Sequence, residues 1–229
     1  MANSGEPVGT TTQSVRGHFI TFEGGEGAGK TTQIARLAQR LRENGLSVVT
    51  TREPGGSPGA EAIRHVLLSG AAEQLGPEAE AMLFAAARAD HVDSLIRPAL
   101  QRNDWVLCDR FIDSTRVYQG LTGAVPARII VALEAISVGD CKPDLTLLLD
   151  IPADIGLYRA AQRRGDAAVD RFEKDGSEIQ ERRREGFLAL ARGEPSRFAV
   201  IDAAQDTETV AEAIWYAVRT RLGIGGLGN

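Results

Sequence analysis

An α/β fold, with a five-stranded parallel sheet flanked by helices, is what the sequence predicts. Three observations carry this. Short apolar runs alternate with helical patterns along the whole chain. The runs are continuously apolar rather than alternating with polar residues, as in strands buried on both faces. The first run meets its helix through a glycine loop, the connection of a strand–helix–strand unit. No internal repeat, linker or domain break interrupts the pattern.

Each element has its own signal. HFITFEG (18–24) is an apolar strand ahead of glycines. From Lys30 a helix follows, with Ile34, Leu37, Ala38 and Leu41 at helical spacing and Gly45 as its stop. LSVVTTREP (46–54) is a second strand that Pro54 ends. PGAEAIRHVLLSG (58–70) is a helix between Pro58 and Gly70. Pro77, at a first helical position, opens a long helix over 77–103 that should kink near Pro98. DWVLCDR (104–110) is the third strand and PARIIVALEAIS (126–137) a helix. DLTLLLDIP (144–152) is the fourth strand, followed by a helix over ADIGLYRAAQRRG (153–165). DAAVDRFEKDG (166–176) is polar and glycine-bounded, a loop. An amphipathic helix over 177–193, a fifth strand RFAVIDAAQ (197–205) and a closing helix to Leu222, capped by Asp206 or Thr207, complete the chain.

Composition narrows the function. With 229 residues, 43% apolar and 25% charged, the chain suits one domain with a real core. A net charge of −5 gives no broad basic face, so nucleic acid is not an expected partner. Cys108 and Cys141 have no paired spacing, which argues for a reducing, cytoplasmic compartment and against a zinc site. No apolar run reaches the roughly eighteen residues a membrane span needs. Residues 1–17 lack the apolar stretch of a secretory signal and read as a flexible tail, as do 223–229. That leaves 18–222 as a single domain.

FEGGEGAGKTTQ (22–33) carries the first chemistry. Gly24, four residues, then Gly29-Lys30-Thr31 is the spacing of a phosphate loop. Glycines let successive backbone N–H groups point at phosphate oxygens, and the helix from Lys30 adds its positive end. The donor loop therefore comprises Gly24, Gly25, Glu26, Gly27, Ala28, Gly29, Lys30, Thr31 and Thr32. Lys30 would reach the β- and γ-phosphates from what reads as a surface loop, and Thr31 would offer its hydroxyl to Mg²⁺. A glycine turn with a chance lysine is the bland alternative. Only three lysines occur in the chain, at 30, 142 and 174, which weighs against chance. CKPD (141–144) resembles a guanine-reading motif, but it precedes a strand rather than following one, so it reads as a turn. Glu26 is the oddity: a carboxylate where phosphate is to be wrapped.

A second constellation lies at strand ends. TREPGG (51–56), with Arg52, Glu53 and Pro54, follows the second strand, and DRFIDSTRVYQG (109–120) the third. Phe84 and Arg88 share a helix face at i and i+4. Ligands bind at strand carboxyl ends in open parallel sheets, so Arg52, Arg88 and Arg110 should face Lys30 across one crevice. Arginine grips phosphate with a bidentate fork, and Phe84 offers a flat face to a base. Singly, Phe84 reads as core and Arg88 as a solvated charge; their coincidence with a phosphate loop reverses that.

With these motifs the chain, from about 18 to 222, resembles the thymidylate kinases of the bacterial type. The resemblance rests on FEGGEGAGKTTQ, TREPGG, LFAAAR, DRFIDSTRVYQG, PDLTLLLD and the arginine-rich RAAQRRGDAAVDRFE. The family's Asp-Arg-Tyr reads Asp109-Arg110-Phe111 here, and Thr115 stands where relatives often carry asparagine. It implies a three-layer P-loop kinase fold with an arginine-rich lid around 161–176, a homodimer, and transfer of the ATP γ-phosphoryl to dTMP with Mg²⁺. Lys30, Arg110 and the lid residues Arg163 and Arg164 would be catalytic, with Arg171 beside them. Thr31 and Asp109, the latter through water, would hold the metal. Arg88 and Gln119 would meet the thymine edge, Phe84 would stack on the ring, and Arg64, Ser114 and Thr115 would line the same pocket. Tyr118 would fill the space of a ribose 2′-hydroxyl, Glu26 would face the sugar 3′-hydroxyl, and adenine would rest near DAAQ (202–205). The loop acid leaves the transferred phosphoryl without a loop arginine, and the lid would compensate. Two alternatives stay open on the residues alone: a kinase for another small acceptor, and a nucleotide-dependent switch or ATPase.

Overall fold

The computed structural model describes residues 17–164 and 175–224, with the side chains of Glu73, Arg163 and Arg164 excepted. Five parallel strands form one sheet in the order β2-β3-β1-β4-β5. They are β1 Phe19–Glu23, β2 Val48–Arg52, β3 Trp105–Asp109, β4 Leu145–Asp150 and β5 Phe198–Asp202. β1 sits in the middle, paired with β3 and β4, and is buried at every residue. The outer strands β2 and β5 are partly exposed.

Alternation across the pleat splits the core into two faces. Ile20, Phe22, Leu107, Leu145, Leu147 and Leu149 face α1 (Lys30–Glu43) and α9 (Thr207–Leu222). The α1 stripe is Ile34, Leu37, Ala38 and Leu41, as its spacing predicts. Phe19, Val106 and Cys108 face the other way, onto Val92, Ile96 and Ala99. Leu148 meets Phe187 and Ala191 of α8 (Ser177–Gly193). Helix, sheet and helix thus form three layers. Asp206 caps α9, accepting from the N–H groups of Glu208 and Thr209.

The expected single helix over 77–103 is interrupted. α3 (Pro77–His91) runs into a wide π turn at Val92–Ile96 and resumes as α4 (Arg97–Gln101). Pro98 has no N–H for the carbonyl four residues back, and its ring crowds that turn, so the ladder widens just upstream. The stretch after β3, left without an assigned element by the sequence, is helical: α5 (Ile112–Thr115) and a second π segment, Arg116–Thr122. α2 (Pro58–Leu68), α3 and α6 (Ala127–Ser137) pack side by side, α2 and α6 each against α3. α7 (Ala153–Arg164) precedes the residues outside the described set. Among the described residues no helix is long and apolar enough to cross a membrane.

Strand carboxyl ends gather the polar residues at one edge. Asp109 sits in register with Phe22 and Arg52, and Asp150 with Asp202. The phosphate loop also meets α7 there, backbone against backbone. A Cβ on Gly27 would overlap the Gly156 carbonyl of α7, and one on Gly156 would overlap the Glu26 carbonyl. Gly156→Ala should therefore destabilise the chain by ~1–3 kcal/mol in urea unfolding, the overlap outweighing the gain in helix propensity. A neutral or more stable variant would show that the loop does not press on α7.

Candidate active site

The donor loop leaves β1 through Gly24 and Gly25 and turns into α1 at Gly29, whose φ of 88° is left-handed. Lys30 is not the surface group the sequence suggested. It is 8% exposed, and its ammonium donates to the carbonyls of Gly24 at 3.1 Å and Gly25 at 2.9 Å. The loop carbonyls point at the lysine, so the side chain shapes the loop it serves. Burial, and then the Arg110 charge, lower the Lys30 pKa from its ordinary value. Thr31 Oγ1 donates to Asp109 Oδ2 at 3.1 Å, which sets the hydroxyl and the carboxylate side by side.

Arg110 reaches across this loop from the end of β3. Its φ of 66° is rare for a residue with a Cβ and turns the chain abruptly out of the sheet. Its guanidinium donates to Glu26 Oε1 at 2.5 Å, Ser114 Oγ at 3.2 Å and the Gly24 carbonyl at 3.3 Å. The carboxylate in the phosphate loop therefore has an ion-pair partner that the sequence did not indicate. Tyr118 lies against both, its ring 5.1 Å from the Arg110 guanidinium and its hydroxyl 3.5 Å from Glu26. Burial pushes the Tyr118 phenol up to about 12, so it stays neutral.

Behind Arg110 lies Glu23, the last residue of β1 and completely buried. It accepts from the N–H of Phe111 at 2.9 Å, the N–H of Ser114 at 3.1 Å and the Ser114 hydroxyl at 2.6 Å. Ser114 is thus turned towards Glu23 and Arg110 as well as the cavity.

The far end of the cavity is built around Arg88, which is 3% exposed. Its Nε donates to Glu53 Oε2 at 2.7 Å, and its Nη2 to Thr115 Oγ1 at 3.0 Å and the Phe111 carbonyl at 3.3 Å. Nη1 is buried and has no partner among the described residues. Glu53 and Thr115, expected to meet a ligand, are occupied in holding this arginine. Arg64 donates to the Pro54 carbonyl at 2.6 Å, and the exposed Arg52 pairs with Glu61 at 2.9 Å. Gln119 donates to the buried Glu80 at 3.3 Å.

One cavity of about 320 Å³ collects these groups. Its wall runs from Glu26, Lys30, Thr31 and Asp109 to Arg110 and Tyr118, and on to Phe84 and Arg88. Gly27, Ala28, Gly29, Arg52, Glu53, Pro54, Arg64, Ser114, Thr115 and Gln119 complete the expected set on this wall. Gly24, Gly25 and Thr32 lie off it, while Leu68 and Phe111 join it. Arg163, Arg164 and Arg171 fall outside the described side chains. The DAAQ turn is away from this wall, its Ala203 and Ala204 carbonyls held by Arg159 of α7 at 2.7 and 3.0 Å. Arg159 and Leu68 escaped the sequence reading because each looks like an ordinary helix residue. Glu23 lies inside the phosphate-loop motif, and only its burial marks it.

Burial, and then the Asp113 charge, raise the Glu23 carboxyl to about 7. The native state then holds this proton more tightly than the unfolded chain. The stability it contributes is full in acid and is lost as pH rises through about 7. Melting temperature should fall from about pH 5 to pH 8, and Glu23→Gln should flatten that fall. Parallel curves for the two proteins would remove Glu23 as the cause.

Known proteins place this site in a family. The thymidylate kinase family model matches residues 22–214. A thymidylate kinase of Rhodopseudomonas palustris strain TIE-1 is 58% identical over 211 residues, 92% of this chain and 92% of that protein. One of Bradyrhizobium sp. strain ORS 278 is 55% identical over 207 residues, covering 90% and 92%. A third, of Bradyrhizobium diazoefficiens, is 55% identical over 209 residues, 91% and 92%. A family match over most of the chain, on a parallel sheet with a phosphate loop at its central strand, means that this chain belongs to the thymidylate kinase family.

Proposed function

We propose that the chain transfers the γ-phosphoryl of ATP to dTMP, giving dTDP. The observation that carries this is Arg88 Nη1. It is buried and unpartnered among the described residues, on a guanidinium whose other nitrogens are taken. Arginine only donates, so it calls for an acceptor on the ligand. Thymine O4 is such an acceptor, whereas cytosine presents an amino donor at that position. Phe84, one turn before Arg88 on α3, supplies the stacking face.

Acceptor phosphate would meet Arg110, and the sugar would lie between Glu26 and Tyr118. ATP would lie in the donor loop, its β- and γ-phosphates against loop N–H groups and Lys30. The Thr31 hydroxyl and Asp109 carboxylate fit Mg²⁺: hard oxygen donors, few in number, leaving room for phosphate oxygens and water. A bound Mg²⁺ would supply charge neutralisation at the ATP phosphates. A phosphate nucleophile needs no strong base, so these residues work by alignment and charge neutralisation. Arg163, Arg164 and Arg171 would complete the cation set in place of a loop arginine. The cytoplasm is the proposed compartment.

A homodimer is also proposed. Val66 of α2, Met82 of α3 and Val131 of α6 are large apolar side chains left exposed on helices that pack together. Such a surface suits a two-fold partner.

The acceptor reading is tested by kcat/KM for dTMP, dUMP and dCMP with wild type and Arg88→Met. Wild type should favour dTMP over dCMP by ~10- to 100-fold, since the mismatch leaves buried groups unpaired. Arg88→Met should collapse that ratio and spare the ATP KM. A wild type that prefers dCMP or a purine monophosphate would falsify the dTMP assignment. For assembly, sedimentation equilibrium should show a dimer that Met82→Glu with Val131→Glu dissociates; an unchanged mass for the variant would place the interface elsewhere.

A further inference from the structure

We infer that His91 is a positioning residue for acceptor choice, acting on Arg88 through Glu53. The inference rests on the reading of Arg88 as the group that meets the base edge. His91 lies one turn beyond Arg88 on α3, has no exposed surface and does not reach the cavity wall. Its Nδ1 is 3.1 Å from Glu53 Oε1, and its Nε2 is 2.7 Å from Thr51 Oγ1. Glu53 is ion-paired with Arg88, and a carboxylate only accepts, so Nδ1 carries the hydrogen. In the tautomer with its hydrogen on Nδ1, Nε2 is left to accept the Thr51 hydroxyl. Thr51, His91, Glu53 and Arg88 form one chain of hydrogen bonds from the end of β2 to the cavity.

The division of the two Glu53 oxygens is what matters. His91 holds Oε1, so Oε2 alone reaches Arg88, and it does so at Nε. That leaves Nη1 uncommitted. Without the histidine, Oε1 is free to engage the guanidinium as well, in the two-pronged geometry that arginine and carboxylate favour. The fork would then turn on Glu53 and draw its free N–H from the ligand. Gly56 closes the alternative of a ring that swings away. A Cβ at Gly56 would already press on Nε2 and on Thr51 Oγ1, so the imidazole is clamped at that edge.

A histidine that merely fills space would affect every acceptor alike. A positioning histidine changes the ratio between acceptors. The test is steady-state kinetics on the full chain with His91→Phe and His91→Asn, using dTMP, dCMP and ATP. His91→Phe keeps the bulk and removes both ring nitrogens. It should lower the dTMP/dCMP ratio of kcat/KM about tenfold, chiefly through the dTMP KM, with the ATP KM unmoved. His91→Asn sets an amide donor near the Nδ1 position and should recover most of the ratio. If His91→Phe fails to fold, Thr51→Val, which frees the far side of the ring, should shift the ratio in the same direction. A ratio unmoved in a folded variant overturns the inference, as does His91→Asn behaving like His91→Phe. Wild type that does not prefer dTMP overturns the dTMP reading itself, and is distinguishable because it shows before any substitution is made.

Discussion

The buried carboxylate of Glu23 is the joint on which the site depends. It ends the central strand, directly before the donor loop, and its oxygens bind the backbone and hydroxyl of the segment after β3. The phosphate loop and the wall that faces it come from chain segments more than eighty residues apart. One side chain with three donors on it fixes their spacing. Burial at the end of the central strand makes that carboxylate costly to ionise, and those hydrogen bonds offset part of the cost. Asp113, close behind, is held by Arg197 through both oxygens and by Arg116, so its charge is balanced on the side away from the cavity.

Charge then alternates along the cavity. Lys30 turns to loop carbonyls, Glu26 to Arg110, Arg110 to Ser114, and Arg88 to Glu53. The cations are thus oriented by the protein itself, and a phosphate that arrives meets groups already in place. In the proposed reading Arg88 follows the same rule at the base end, where specificity comes from the one nitrogen left open.

Much of this was legible in the chain. The parallel sheet followed from continuous apolar runs, and the phosphate loop from its spacing between strand and helix. Phe84 and Arg88 on one helix face, and TREPGG and DRF at strand ends, already predicted a shared crevice. What was not legible was partner choice. Glu53 reads as a ligand contact because nothing local says that its oxygens go to Arg88 and His91, thirty-five and thirty-eight residues away. Lys30 reads as a surface charge because its burial depends on carbonyls that the loop turns inward only once folded. The π turns escaped for another reason. At Val92–Ile96 the cause is a proline beyond the turn, and at Arg116–Thr122 glycine and polar residues blur any apolar period.

The contact between Gly27 and Gly156 has a consequence of its own. Most couplings in this cavity are between charges, and dissolved salt weakens those nearest the surface. Gly27 and Gly156 meet through uncharged backbone, with no side chain between them. Steric contact of that kind is indifferent to ionic strength and to proton concentration. A displacement of the donor loop is therefore passed to α7 as a push rather than as a field, and the linkage works equally in dilute buffer and in a salty one.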